Sequence, residues 1–324
     1  MQRRVLLRSL TASAAIPLTA FAQAPADWPN KPLRLVVPWP PGGSSDVAAR
    51  LVGAHLSKVL NQPVVIDNRA GASGKIGSEA VARSAPDGYT LLLANSISHA
   101  SITLTDRQMT YDPEKDFAPV ALLTQSPLVL AVHPSLPVNT VPELIAFAKS
   151  RPGTLNFGSP GPGSAHHLLG EWFRSRAGVN MVHVPYKGVA PAQADLLAGT
   201  VQLMFDPSVT QHVGAGKLRG LATTGSARSP VLPALPTLEE AGLKGMVLIG
   251  WNGLVAPAGT PRPLLERLNR AVRGALEDKE FGQKLVAIGL IPAAPSEPEE
   301  LGRQVAYDLR LYREIVQSNN LKLD

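Results

Sequence analysis

Short apolar runs rich in β-branched residues alternate along most of this chain with longer stretches whose apolar positions recur at helical spacing. That alternation predicts βα units, an α/β fold with mainly parallel sheets flanked by helices. Strands are expected at Leu33 to Val37, Val64 to Asp67, Tyr89 to Ala94, Leu128 to Val132, Leu155 to Phe157, Met181 to Val184, Val201 to Phe205 and Leu218 to Thr223. From Asp46 to Leu60, the residues Ala48, Leu51, Val52, Leu56 and Val59 share one helical face, and Leu301, Val305, Leu309, Tyr312 and Val316 repeat this between Glu297 and Ser318. Both stripes read as packing faces.

A mature chain of about 300 residues exceeds what one core usually holds, so two lobes are expected. Proline-bearing stretches near Tyr111 to Pro119 and Ser226 to Pro236 are candidate crossings. They divide the chain into a discontinuous first lobe, 27–124 plus 225–324, and an inserted second lobe, 125–224. Two crossings side by side make a hinge, and open α/β sheets place a cleft at the carboxyl ends of their strands.

Two segments aim at such a cleft. LRLVVPWPPGGSSDVAAR, Leu33 to Arg50, runs from a strand through a Pro/Gly turn into a helix that begins near Asp46. NFGSPGPGSAHHLLGEWF, Asn156 to Phe173, repeats the arrangement through Gly158, Gly161 and Gly163. Glycine lets backbone approach a ligand closely, and the first turn of a helix offers N–H groups without intrahelical partners, so opposed helix mouths suit a small anion. Neither turn contains Lys or Arg, which leaves backbone amides, hydroxyls and water to hold it. Each turn also reads as an ordinary β–α loop.

Individual residues carry paired readings. Ser164 is either a helix cap or a ligand-binding hydroxyl, and Asp46 is either a cap or the acceptor of a ligand ammonium. Asp206, after the Val201 to Phe205 strand, has the same ambiguity, while Trp39 either walls the cleft or packs the turn. His167 and Glu171 stand four apart on one helix face, but no third ligand has metal-site spacing, so capping or surface histidines are favoured and no metal is expected.

Catalytic templates fail. GASGKI, Gly71 to Ile76, lacks the first glycine and the hydroxyl residue of a phosphate loop, no G-x-S-x-G elbow is present, and Arg219 stands where a dinucleotide fingerprint after Gly214 and Gly216 needs glycine. No catalytic residue and no cofactor are expected.

Arg3, Arg4 and Arg8 precede the apolar run Leu10 to Ala22, and no acid occurs before Asp27, which reads as an export signal cleaved after Ala22. A run this short, broken by Pro17, is a poor membrane span. Its loss removes three of the 31 basic residues and none of the 25 acids, so net charge falls from +6 to about +3. Scattered basic residues argue against nucleic acid, and zero cysteines exclude disulfides, thiolate metal sites and a lipidated cysteine. A soluble periplasmic product, monomeric in action, follows.

Taken in order, WPNKPLRLVVPWPPGGSSDVAAR (28–50), VIDNRAGASGKIGSEAVARSAPDGYTLL (65–92), GSPGPGSAHHLLGEWF (158–173), VPYKGVAPAQADLLAG (184–199), LPTLEEAG (235–242) and WNGLVAPAGTP (251–261) resemble the Bug-type substrate-binding proteins of tripartite tricarboxylate transporters. The resemblance implies a type II Venus-flytrap fold that closes on a small organic acid and delivers it to membrane permease subunits without chemistry. It places the ligand between the loop Pro40, Pro41, Gly42, Gly43, Ser44, Ser45 and Asp46 and the loop Gly161 to His166, which holds Gly163, Ser164 and Ala165, with Asn95 to Ser98, including Ser96, facing the cleft; Trp39 and Asp206 join these as candidates from the reading of the residues themselves. Trp39 replaces the family's common phenylalanine, and Pro160 and Pro162 stiffen the second loop. Rival readings are a secreted hydrolase using Ser164 with His166 or His167, and a binding protein that docks on a membrane sensor.

Overall fold

All eight apolar runs form strands whose ends lie within two residues of those expected, in a computed structural model that describes residues 27–321. The expected export signal, 1–22, lies outside the described residues. The strands are β1 (Leu33–Val37), β2 (Val64–Asn68), β3 (Thr90–Asn95), β4 (Phe117–Pro127), β5 (Val129–Val132), β6 (Leu155–Ser159), β7 (Met181–Pro185), β8 (Leu203–Asp206), β9 (Arg219–Thr223), β10 (Ile249–Pro257) and β11 (Ile291–Pro292). They form one sheet ordered β11-β4-β10-β3-β1-β2 and another ordered β7-β6-β8-β5-β9.

The sheets are mixed, a correction to the mainly parallel expectation. β1 pairs with β2 and β3 in parallel, but β10 runs antiparallel to both β3 and β4, and β5 runs antiparallel to both β8 and β9. Of the strands absent from the sequence reading, β10 and β11 run against β1, β2 and β3, while β4 runs with them between two antiparallel neighbours. Pro119 and Pro127 lie in β4, and proline removes a ladder donor, so β4 does not read as a strand from local sequence alone.

Only Leu128 separates β4 in the first sheet from β5 in the second. The backbone N–H of Leu128 donates to Thr224 Oγ1 at 2.8 Å, and the Thr224 N–H donates to Leu128 O at 2.9 Å. The same hydroxyl donates to Leu248 O, and the Leu248 N–H donates to Thr224 O at 3.1 Å. Thr224 is fully buried and ties the outgoing connection to the returning one. Before Leu248 the chain lies along the second sheet, with the Leu238 N–H on Thr223 O at 2.9 Å, and it joins the first sheet at Ile249. Thr224→Val keeps the shape but strands the Leu128 N–H and the Leu248 carbonyl. Each orphaned group costs roughly 1–3 kcal/mol, so a drop of about 2–6 kcal/mol in urea-unfolding stability is the expected outcome.

The expected helical stripes pack as drawn, with one exception. Ala48, Val52 and Leu56 of the helix Ser44–Leu60 pack in the first core beside Leu35, Leu91 and Leu268, whereas Val59 is 53% exposed. Leu301, Val305, Leu309 and Tyr312 of the helix Pro298–Ser318 join a core that also holds Phe157, Leu168 and Phe173 beside the second sheet. Among the described residues no helix is long and apolar enough to cross a membrane.

Candidate functional site

The loop after β1 is built around a carboxylate. The first helix begins at Ser44, with Gly43 before it and no side-chain cap, so Asp46 is not the cap that the sequence suggested. From the first turn Asp46 reaches back to the Gly42 N–H at 2.9 Å, and it accepts Arg50 Nε at 2.9 Å and Asn68 Nδ2 at 2.9 Å. Burial pushes this carboxyl up, but the Arg50, Gly42 and Asn68 bonds outweigh it and hold it below the usual range. Asp46 is 2% exposed and engaged within its own segment, as a latch on the loop. Ser45 Oγ donates to Asn252 Oδ1 at 2.9 Å, tying the loop to β10, while Pro40, Pro41, Gly42, Gly43 and Ser44 are exposed.

The loop after β6 is held from behind by imidazoles. Gly161 and Gly163 have φ of +138° and +73°, conformations in which a side chain is strained. The Gly163 N–H donates to His167 Nδ1 at 3.1 Å, and Ser159 Oγ lies 2.7 Å from His183 Nε2. The His167 and His183 rings stack with centroids 4.0 Å apart. Burial pushes both pKa values down to about 4, so both rings are neutral at neutral pH and His167 Nδ1 accepts the Gly163 N–H. His167 and Glu171 are both buried, not surface residues, and no group of three metal-ligating side chains occurs among the described residues.

Ser164 is a helix cap. Its Oγ accepts the His167 N–H at 3.2 Å and donates to Gly161 O at 2.7 Å, so this hydroxyl is not paired with the imidazole of His166 or His167 as a hydrolase nucleophile would be. His166, one residue into the helix Ala165–Ala177, places Nε2 at 2.7 Å from Asp206 Oδ2.

Between the two loops lies a cleft of about 480 Å³. Trp39, Gly161, Gly163, Ser164, Ala165 and His166 line it, as do Ser73, Ile97, Ser101 and Ile102 on the first side and Gly188 and Val189 on the second. Asn95 and Ser96 do not line it. Both are buried, and Asn95 Oδ1 accepts the N–H groups of Ile97 and Ser98, so its job is to turn the chain that presents Ile97. Ser101 Oγ donates to Gly163 O at 2.8 Å, a bond that joins the two sides directly.

Gly188 and Val189 open the helix Val189–Ala198, so two helix mouths from the second sheet reach the cleft, the other being Ser164 and Ala165. The glycine of VPYKGVAPAQ before an apolar helical stretch was the available sequence signal for the additional mouth. Ser44 instead borders a neighbouring compartment of about 380 Å³, with Ser126, Ser208, Thr210 and Ser229 among its walls. Asp206 stands between the compartments, with Oδ2 on His166 and Oδ1 on the Ser208 N–H at 2.7 Å. A groove of about 430 Å³ beside the helix Arg262–Glu277 is lined by Arg262, which pairs with Glu266, by Arg273, which pairs with Glu297, and by Arg270.

The profile of the "Tripartite tricarboxylate transporter family receptor" matches residues 48–321. The chain belongs to this receptor family. Its relatives include Protein BugT of Bordetella pertussis, 38% identical over 316 residues that cover 97% of this chain and 95% of BugT. An R. palustris protein solved with adipate is 39% identical at a TM-score of 0.75, covering 91% of this chain and 99% of that one. MatC from Rhodopseudomonas palustris, solved with bound malate, is 33% identical at a TM-score of 0.71, covering 89% of this chain and all of that one. As a tripartite tricarboxylate transporter receptor, the protein is a solute-binding protein and not an enzyme.

Proposed function

We propose that this receptor works in the periplasm, after loss of residues 1–22, and captures a small dicarboxylate in the cleft between Trp39 and the Gly161–His166 loop. The observation that carries the reading is the composition of that cleft: two helix mouths, hydroxyls and glycines, with no Lys, Arg, Asp or Glu among its walls. A helix N-terminus acts as roughly half a positive charge, and a hydrogen bond to a charged group is worth about 1.5–3 kcal/mol, so backbone donors suffice for a carboxylate. Relatives that bind adipate and malate support the same class.

In this reading residues 27–127 plus 249–321 act as one lobe and 129–247 as the other, turning about the connections that Thr224 joins. The Gly42–Gly43 backbone grips from the first lobe once the cleft closes, and membrane permease subunits receive the loaded form. A thermal-melt panel of four- to six-carbon dicarboxylates tests the capture step. Ligand at 100 times its Kd adds about 2.7 kcal/mol, a rise of a few degrees in Tm. A flat panel with protein freed of copurified ligand would exclude this substrate class. Ligand-dependent retention by permease subunits, and not by a sensor protein, is the outcome expected of a pull-down from membranes.

A further inference from the structure

Of the residues that line the larger cleft, His166 alone can change its charge. Facing it across the cleft are Ser73, Ile97 and Ser101, and beside it Gly188 and Val189, none of them titratable. On its own helix, His167 is turned to the Gly163 N–H and to the His183 ring. Behind it, at the end of β8, stands Asp206, 1% exposed, whose Oδ2 lies 2.7 Å from His166 Nε2. Burial pushes the Asp206 carboxyl up, but the bond from His166, the charge of that ring when protonated and the bonds from Ser208 outweigh it, so the group is an ionised acceptor. Its other oxygen is occupied by the Ser208 N–H and hydroxyl. His166 Nδ1 is covered and meets no partner in the protein.

An ionised carboxylate only accepts, so His166 Nε2 must carry a hydrogen in either protonation state of the ring. In the neutral ring Nδ1 is then a lone pair, which repels a carboxylate oxygen. In the imidazolium Nδ1 is a donor, and its bond to a carboxylate is charge-assisted. The partner on Nε2 therefore dictates that only a protonated ring has anything to offer an anion.

We propose that His166 is the residue through which this protein selects an anionic ligand, donating Nδ1–H to one ligand carboxylate as an imidazolium held by Asp206, so that capture takes up a proton. The proposal rests on the carboxylate reading above and adds one residue, one atom and one proton to it.

Titration calorimetry of the purified protein with adipate and with malate, at pH 6 and pH 8 in buffers of different ionisation enthalpy, separates the possibilities. The expected result is net proton uptake on binding and an affinity higher at pH 6 than at pH 8, since binding and protonation are reciprocally coupled. His166→Gln keeps a polar side chain but cannot take the charge. It should bind without proton uptake, with equal affinity at the two pH values and close to that of the unaltered protein at pH 8. His166→Asn serves if the glutamine variant does not melt as a folded protein. Binding without proton uptake by the unaltered protein, or a pH profile shared by it and the variants, would overturn the role of His166 while leaving the carboxylate reading intact. If neither acid binds at either pH, both fall together.

Discussion

Gly170→Ala is expected to lower stability by about 3 kcal/mol, the upper end of what overpacking a core costs, although the same change in an exposed helix stabilises it by up to about 1 kcal/mol. Gly170 lies in the helix Ala165–Ala177, and a Cβ built there would sit 2.2 Å from Cε2 of Phe157. That ring cannot step aside. Phe157 is fully buried in β6 and lies against His183 with centroids 4.9 Å apart. The absent side chain at Gly170 is what lets the helix settle on the sheet, and the same helix carries Ser164, Ala165 and His166 at its mouth. Urea unfolding measures the loss. Phe157→Leu combined with Gly170→Ala should recover part of it, because the smaller side chain makes room, and purely additive effects would refute the clash as the cause.

Asp308→Asn is expected to act in the opposite direction at neutral pH. Asp308 is 1% exposed in the helix Pro298–Ser318, where Trp251 Nε1 donates to it at 2.7 Å and Gln304 Nε2 at 2.9 Å. Burial pushes its pKa up to about 7 against the two hydrogen bonds, since no cation lies beside it. The native state thus holds a proton that the unfolded chain, with the ordinary value of 3.8, has already released. Stability from this group is complete below about pH 4, is lost as pH rises to about 7, and stays lost above. Asparagine has the same shape, accepts the Trp251 N–H and carries no charge. Its variant should therefore be more stable by roughly 2–4 kcal/mol at pH 8 and equal to the unaltered protein near pH 4. The difference between the two pH–stability curves isolates Asp308 from His167 and His183, whose lowered values act in both proteins. A difference that does not change with pH would show that folding leaves the carboxyl at its ordinary value.

The candidate site shows where local reading stops. Trp39 and the Gly161–His166 turn line the cleft, and their neighbours along the chain announce them, since a strand, glycines and a helix start lie within a few residues. Asn95 and Ser96 belong to an equally recognisable strand end, yet they turn inward while Ile97, Ser101 and Ile102 face outward to the cleft. A π-helical turn at Ile97–Ser101 decides this, and neither alternation nor helical periodicity foretells such a turn. Asp46 was legible as a residue at a helix mouth. Its partners Arg50 and Asn68 were not, because the choice between capping, latching and ligand binding depends on β2 lying beside β1.

From its own residues the chain determined its strand and helix segments, its two glycine turns, its lack of thiol chemistry and, through ordered motifs, its family. These follow from periodicity and backbone freedom, which act over a few residues. Tertiary structure alone decided the reversed strands β10 and β5, the Thr224 connection between sheets, the burial of His167 against His183, and the pairing of His166 with Asp206, 40 residues away. Strand direction and buried polar partners are set by which distant backbone and side-chain groups must satisfy one another once water is excluded, and that information belongs to no local stretch of sequence.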